Sequence, residues 1–91
     1  MTPKLTLYSR KDCCLCDEMK ETIRRVAANI PLQLEEIDVD GAAELRAEYG
    51  REVPVLFIDG RKAFKYRATV AQLTRRLHQQ RGSLFTRLLA R

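Results

Sequence analysis

Three cysteines, Cys13, Cys14 and Cys16, fall within four positions, and the 91-residue chain has no others. Thiols this close in sequence do local sulfur chemistry. They cannot staple distant segments, so a disulfide-framework protein is excluded. Cys13 and Cys16 have the Cys-x-x-Cys spacing, about one helical turn apart and near enough to close a disulfide. The cluster lies between a polar stretch, Ser9 to Asp12, and an amphipathic run, which places it at the start of a helix. A thiol there meets free backbone N–H groups and the positive end of the helix dipole, and both favour the thiolate. Arg10 and Lys11 add to that effect, whereas Asp12, Asp17 and Glu18 oppose it. Cys13 precedes the helix and is the expected nucleophile. Cys16, inside the first turn, is the expected resolving thiol. The spacing does not require Cys14, which reads as a spectator or an accessory thiol. A Cys13–Cys14 bridge would be strained.

Metal binding is the rival chemistry. A structural zinc site needs four ligands. The chain offers three sulfurs and His78, which falls in the last helix without a histidine partner, so two chains would have to share the ion. A metal-binding or metal-transfer module using Cys13, Cys14 and Cys16 is therefore the second hypothesis. Copper-carrying domains also place two cysteines at a loop-to-helix junction, but in the element order β-α-β-β-α-β. A third hypothesis is an adaptor that binds partners without turnover. No metal ligand set is assigned, and no tightly bound cofactor is expected.

Several elements must position these residues. Lys4 to Tyr8 alternate polar and apolar and read as a strand. From about Cys14 to Asn29, Leu15, Met19, Ile23, Val26, Ala27 and Ile30 form a helical stripe, and Pro31 prevents continuation. Residues 32–38 read as a second strand with imperfect alternation. Asp40 is the expected cap of a short helix bearing Ala42, Leu45 and Tyr49, with Gly50 as its stop. Val53 to Ile58 reads as a buried strand, Asp59-Gly60 as a two-residue hairpin turn, and Arg61 to Lys65 or Tyr66 as the returning strand. Thr69 and Gln72 make a capping box for a last helix carrying Val70, Leu73 and Leu77, which Gly82 is expected to end. The order is β-α-β-α-β-β-α. The first two strands are expected to be parallel, joined by a right-handed crossover, and the last two to form a hairpin. One domain over residues 1–82 with a tail over 83–91 is expected, as suits a chain of this length.

Taken together, Tyr8-Ser9-Arg10-Lys11-Asp12-Cys13-Cys14-Leu15-Cys16 and Val53-Pro54-Val55-Leu56-Phe57-Ile58-Asp59-Gly60 resemble the glutaredoxin-like proteins of the thioredoxin superfamily. The resemblance covers about residues 4–80. It implies an α/β thioredoxin-like fold of glutaredoxin type, with a four-stranded mixed sheet and helices on both faces. It also implies a cis Val53–Pro54 bond abutting the cysteines. By the same resemblance the chain is a thiol–disulfide oxidoreductase in which Cys13 attacks a substrate disulfide and Cys16 resolves the mixed disulfide. Val53 would offer its backbone N–H and C=O to an extended substrate. Arg10 stands where glutaredoxins often carry a basic residue that helps hold glutathione, the implied co-substrate. The partner is then a disulfide-containing protein or a glutathione mixed disulfide.

The sequence also departs from that family's pattern. Glutaredoxins usually carry Gly-Gly and an acidic residue between the last strand and last helix. Here the segment Phe64-Lys65-Tyr66-Arg67-Ala68-Thr69-Val70 has neither. A glutathione carboxylate would instead meet the helix N–H groups at Thr69 and Val70, with Arg67 beside them, while its ammonium loses its acidic partner. Cys14 replaces the common proline and Leu15 the common aromatic.

Composition bounds the remainder. Hydrophobic residues make up 45% and charged residues 32% of the chain, too apolar for disorder and too charged for a membrane bundle. The N-terminal residues lack the pattern of a signal peptide, and a cytoplasmic location is expected. The net charge of +5 is divided unevenly. Residues 1–60 hold eight Lys and Arg against twelve Asp and Glu, a net −4, whereas residues 61–91 hold nine Lys and Arg and no acid. A solvated face is the plainest account of this basic third. Near the cysteines, Lys65 and Arg67 would favour anionic substrates. Leu84, Phe85, Leu88 and Leu89 with Arg81, Arg87 and Arg91 make a short amphipathic segment. No nucleic-acid motif is present, and no segment is long enough to span a membrane. His78 is expected at the surface; Tyr8 and Tyr66 either border the cysteine site or, on the plainer reading, pack their rings in the core.

Overall fold

A computed structural model describes the backbone of residues 2–89 and the side chains as far as Gln79. Strand β1 (Lys4–Ser9) leads into helix α1 (Cys14–Ala27), then strand β2 (Gln33–Asp38), a 3-10 turn (Val39–Gly41), helix α2 (Ala43–Tyr49), strands β3 (Val55–Ile58) and β4 (Arg61–Lys65), and helix α3 (Val70–Leu89). The four strands form one mixed sheet in the order β2-β1-β3-β4. β1 pairs parallel with β2 and antiparallel with β3, and β3 pairs antiparallel with β4. This is the expected α/β arrangement.

Alternation along β1 sends Leu5 and Leu7 to one face, where both are fully buried. α1 delivers Met19, Ile23 and Val26 to that face, α3 delivers Leu73 and Leu77, and β3 adds Leu56 and Ile58. Each such side chain contributes about 1.5–3 kcal/mol by leaving water. α2 lies on the opposite face, where Tyr49 stacks on Tyr8 at 4.3 Å between ring centroids and meets Phe57 edge-on at 6.0 Å. No residue of α2 is fully buried. The helix is held by this aromatic cluster and by its neighbouring turn.

The hairpin is as predicted. Asp59 and Gly60 both take positive φ, 49° and 83°, which is the primed turn that an Asp-Gly pair favours. A register shift between Leu56 and Phe57 places two residues of β4, Ala63 and Phe64, against one residue of β3.

Two local expectations are corrected and a third holds for a different physical reason. Asp40 does not cap α2. Asp38 caps the 3-10 turn by accepting from the Asp40 N–H, and α2 begins after Ala42 with no side-chain cap. The Asp40 carboxylate is already engaged by Arg10, at 2.7 Å. Gly50 stops α2 as expected, though with a right-handed backbone (φ −56°) rather than a left-handed one. Its lack of a side chain serves a close approach instead, because a Cβ there would meet the Arg46 carbonyl oxygen. Gly82 does not end the last helix, which continues to Leu89. One interior glycine costs a helix only about 1 kcal/mol, and the residues on both sides are helix formers. The side chains of the amphipathic segment, Leu84 to Arg91, lie outside the described residues. Among the described residues, no helix is long and apolar enough to cross a membrane.

Candidate redox site

β1 runs parallel to β4, since each is antiparallel to β3. α1 and α3 therefore start at the same end of the sheet, and β3 enters from that end through Pro54. The sequence places both predicted motifs there. Asp12, with φ 56°, turns the loop, a conformation that Asp tolerates better than most residues. Cys13 is the N-cap of α1, with its backbone extended. Its sulfur accepts from the Cys16 N–H at 3.1 Å, and its carbonyl accepts from the Asp17 N–H at 3.1 Å. Cys13 and Cys16 are joined by a disulfide, with a Cα–Cα distance of 5.2 Å. Cys13 is partly exposed and Cys16 is fully buried. Cys14 is a free, exposed thiol. Among the described residues, no cluster of three His, Cys, Asp or Glu side chains is placed to hold a metal ion.

The Val53–Pro54 peptide bond is cis, as the resemblance implies. Pro54 is buried and its carbonyl accepts from the Tyr66 N–H at 2.9 Å. Val53 is half-buried.

The basic residues have other commitments. Arg10 donates from Nε and an Nη to the two carboxylate oxygens of Asp40, at 3.1 and 2.7 Å, and from its other Nη to the Gly50 carbonyl at 3.1 Å. That bidentate pair raises the Arg10 pKa and lowers that of Asp40. Arg10 thus ties the β1–α1 loop to the end of α2. Lys11 and Arg67 are exposed. Lys65 reaches Glu52 at 3.5 Å and lies over the Tyr66 ring at 5.4 Å. Thr69 and Gln72 close the predicted capping box: Gln72 N–H donates to Thr69 Oγ1 at 3.0 Å, and Thr69 N–H donates to Gln72 Oε1 at 2.9 Å. His78 is exposed, as expected.

Three features went unseen in the sequence. Tyr66 does not pack in the core. It is 43% exposed, with φ 68°, and forms the centre of a three-residue turn in which Arg67 N–H donates to the Lys65 carbonyl at 2.8 Å. It stands in the segment where glutaredoxins usually have glycine, and it takes the left-handed conformation that glycine adopts freely. No local signal marks a tyrosine for that role. The second feature is buried Ser9, whose hydroxyl donates to Glu36 at 2.8 Å, while Lys20 of α1 reaches the same carboxylate at 3.0 Å. The Ser9 and Lys20 hydrogen bonds hold the Glu36 carboxyl below the usual carboxylate range. The third is Thr22 Oγ1, which donates to the Ala68 carbonyl at 3.3 Å and binds α1 to the lead-in of α3.

Comparison with known proteins agrees with this geometry. The Glutaredoxin-like domain (DUF836) family matches residues 4–78. An uncharacterized protein of Mycobacterium tuberculosis is 34% identical over 65 residues, covering 66% of this chain and 67% of its own length. A protein of X. campestris solved by X-ray crystallography is 33% identical, with a TM-score of 0.71, over 82% of this chain and 96% of that one. Desulfothioredoxin from Desulfovibrio vulgaris Hildenborough, in its reduced form, shares the fold with a TM-score of 0.62 and 24% identity, over 81% of this chain and 77% of its own. Cysteine pair, cis-proline and sheet order together place the chain in the glutaredoxin-like family of the thioredoxin fold.

Proposed function

We propose that the chain is a thiol–disulfide oxidoreductase with a dithiol cycle. The observation that carries this reading is the asymmetry of the pair: Cys13 is a partly exposed N-cap and Cys16 is fully buried one turn on. The Cys13 thiolate attacks one sulfur of a substrate disulfide. That S–S bond breaks, and the departing thiolate takes a proton from solvent. Cys16 then gives up its proton and attacks Cys13 Sγ, releasing the second substrate thiolate. The protein gives two electrons to the substrate and is left oxidised, as its Cys13–Cys16 disulfide. An external thiol, glutathione or another donor of a reducing compartment such as the cytoplasm, returns it to the dithiol.

Two observations support a protein disulfide over a glutathione mixed disulfide as substrate. Arg10 is held by Asp40 and Gly50, and the Thr69 N–H is held by Gln72. Both are donors that glutathione would use. Val53, beside the cis-proline, is the ledge for an extended substrate, and the exposed Lys11 and Arg67 offer it cationic contacts. Cys14 takes no part in the cycle.

The test is trapping. Offered a protein disulfide, Cys16→Ser accumulates a covalent adduct and Cys13→Ser does not. Equal trapping by both variants, or by neither, overturns the assignment. Faster turnover of glutathione disulfide than of the protein disulfide overturns the substrate preference.

A further inference from the structure

The basic third is not uniform. Lys62 and Lys65 share Glu52, at 2.9 and 3.5 Å. Arg61, Arg67, Arg75 and Arg76 form no ion pair among the described residues. Beyond Gln79 the sequence contains no Asp or Glu to serve them. Arg75 and Arg76 border a groove of about 250 Å³, with Phe64 of β4 on one side and Ala71, Gln72 and Gln79 of α3 completing the other.

This groove lies between α3 and Phe64 of β4, the edge strand of the sheet. Phe64 lies opposite Leu56, a core residue packed against α1 and α3, so its ring occupies the helix-bearing face. The Tyr66 N–H points inward to the Pro54 carbonyl. By strand alternation, the Lys65 N–H points outward, away from the sheet, whereas its carbonyl already accepts from the Arg67 N–H. An exposed edge of this kind is a template for another strand. A strand added there would set every second side chain over Phe64, beside Arg75 and Arg76. Its other side chains would meet Lys62 and Lys65 on the far face. The edge carries Arg61, Lys62 and Lys65, so a second copy of β4 would be repelled and an acidic strand attracted.

We propose that the outer edge of β4 and this groove dock an extended acidic segment of a partner protein, its alternate carboxylates lying against Arg75 and Arg76. The site uses no thiol and stands apart from the redox reading. A single-stranded nucleic acid fits less well, because it would need a series of stacking aromatics and, among the described residues, Phe64 is the one aromatic lining the groove.

The probe is a short labelled peptide alternating glutamate with threonine, titrated into the full chain. Controls are the same composition with its glutamates contiguous, an alternating lysine–threonine peptide, oligothymidylate, and vesicles containing phosphatidylserine. The alternating acidic peptide binds about tenfold more tightly than the contiguous one, and Arg75→Glu with Arg76→Glu weakens it by about tenfold or more. Binding falls as salt rises. In the unmutated chain the Lys65 amide gains protection from hydrogen exchange when the peptide binds, which reports strand addition without relying on any variant. Equal binding of both acidic peptides, tighter binding of the oligonucleotide or the vesicles, or an unprotected Lys65 amide overturns the proposal.

Discussion

Helices α1 and α3 begin at the same end of the sheet and pack on the same face, yet they close their first turns in opposite ways. α3 satisfies its orphan N–H groups with its own Thr69 and Gln72 side chains, in a reciprocal box. α1 uses the sulfur of Cys13, the atom on which the proposed chemistry depends. The start of α3 is closed and inert. The start of α1 keeps its capping atom at a partly exposed position, so capping and reactivity reside in one group. Backbone N–H donors that stabilise a helix can also stabilise a thiolate, provided that no other side chain occupies them.

The largest expected effect separates the two roles of Cys13. Cys13→Ser abolishes mixed-disulfide formation, yet leaves the reduced protein near its original stability, because a hydroxyl still caps α1. Cys13→Ala abolishes the reaction and also lowers the stability of the reduced protein by about 1 kcal/mol, read from urea unfolding. Equal stability of these two variants would break the comparison. At α3, Thr69→Ala lowers stability by about 1 kcal/mol and leaves the rate of trapping by Cys16→Ser unchanged. A similar loss, about 1 kcal/mol, is expected for Tyr66→Val in the same assay, since a β-branched residue resists the left-handed backbone at that turn.

The smallest effect concerns the ion pair behind α1. Ser9 and Lys20 lower the Glu36 pKa, so the folded chain holds that proton less tightly than the unfolded chain does. The stabilisation is present above the unfolded value and is lost as pH falls through the lower folded one. Glu36→Gln therefore lowers stability at neutral pH by about 0.5 kcal/mol, the pair being half-exposed and screened. The deficit closes on acidification from about pH 5 towards pH 2 in pH-dependent unfolding. Breaking α1's cap and this pair in one chain would show whether the two couple.

Much of the scaffold was legible because local chemistry and fold agree. Asp59-Gly60 demanded a primed turn, Thr69 and Gln72 a capping box, and Met19, Ile23 and Val26 a buried stripe. The edge strand β2 was harder to read, because all its residues except half-buried Ile37 are exposed and its alternation has little to record. Of the site, the cysteine pair was readable from spacing, and the cis-proline only through resemblance. Arg10 was read for its charge near the cysteines. Its true engagement is with Asp40, thirty positions away, and no local pattern encodes such a contact. Tyr66 was misplaced for the opposite reason: aromatic rings are usually packed, and its position is set by a backbone turn rather than by its ring.

The stacked phenols give the molecule an optical property. The chain has no tryptophan and only three tyrosines, and two of these, Tyr8 and Tyr49, lie ring on ring. Their ultraviolet signal is therefore not swamped by indole, and the coupled pair adds an exciton contribution to the dichroism of its separate rings. Tyr8 precedes the loop that carries the dithiol, and Tyr49 precedes the glycine to which Arg10 of that loop is bound. With the redox state of the dithiol held fixed, near-ultraviolet dichroism is thus a label-free gauge of whether the loop shifts when a partner docks.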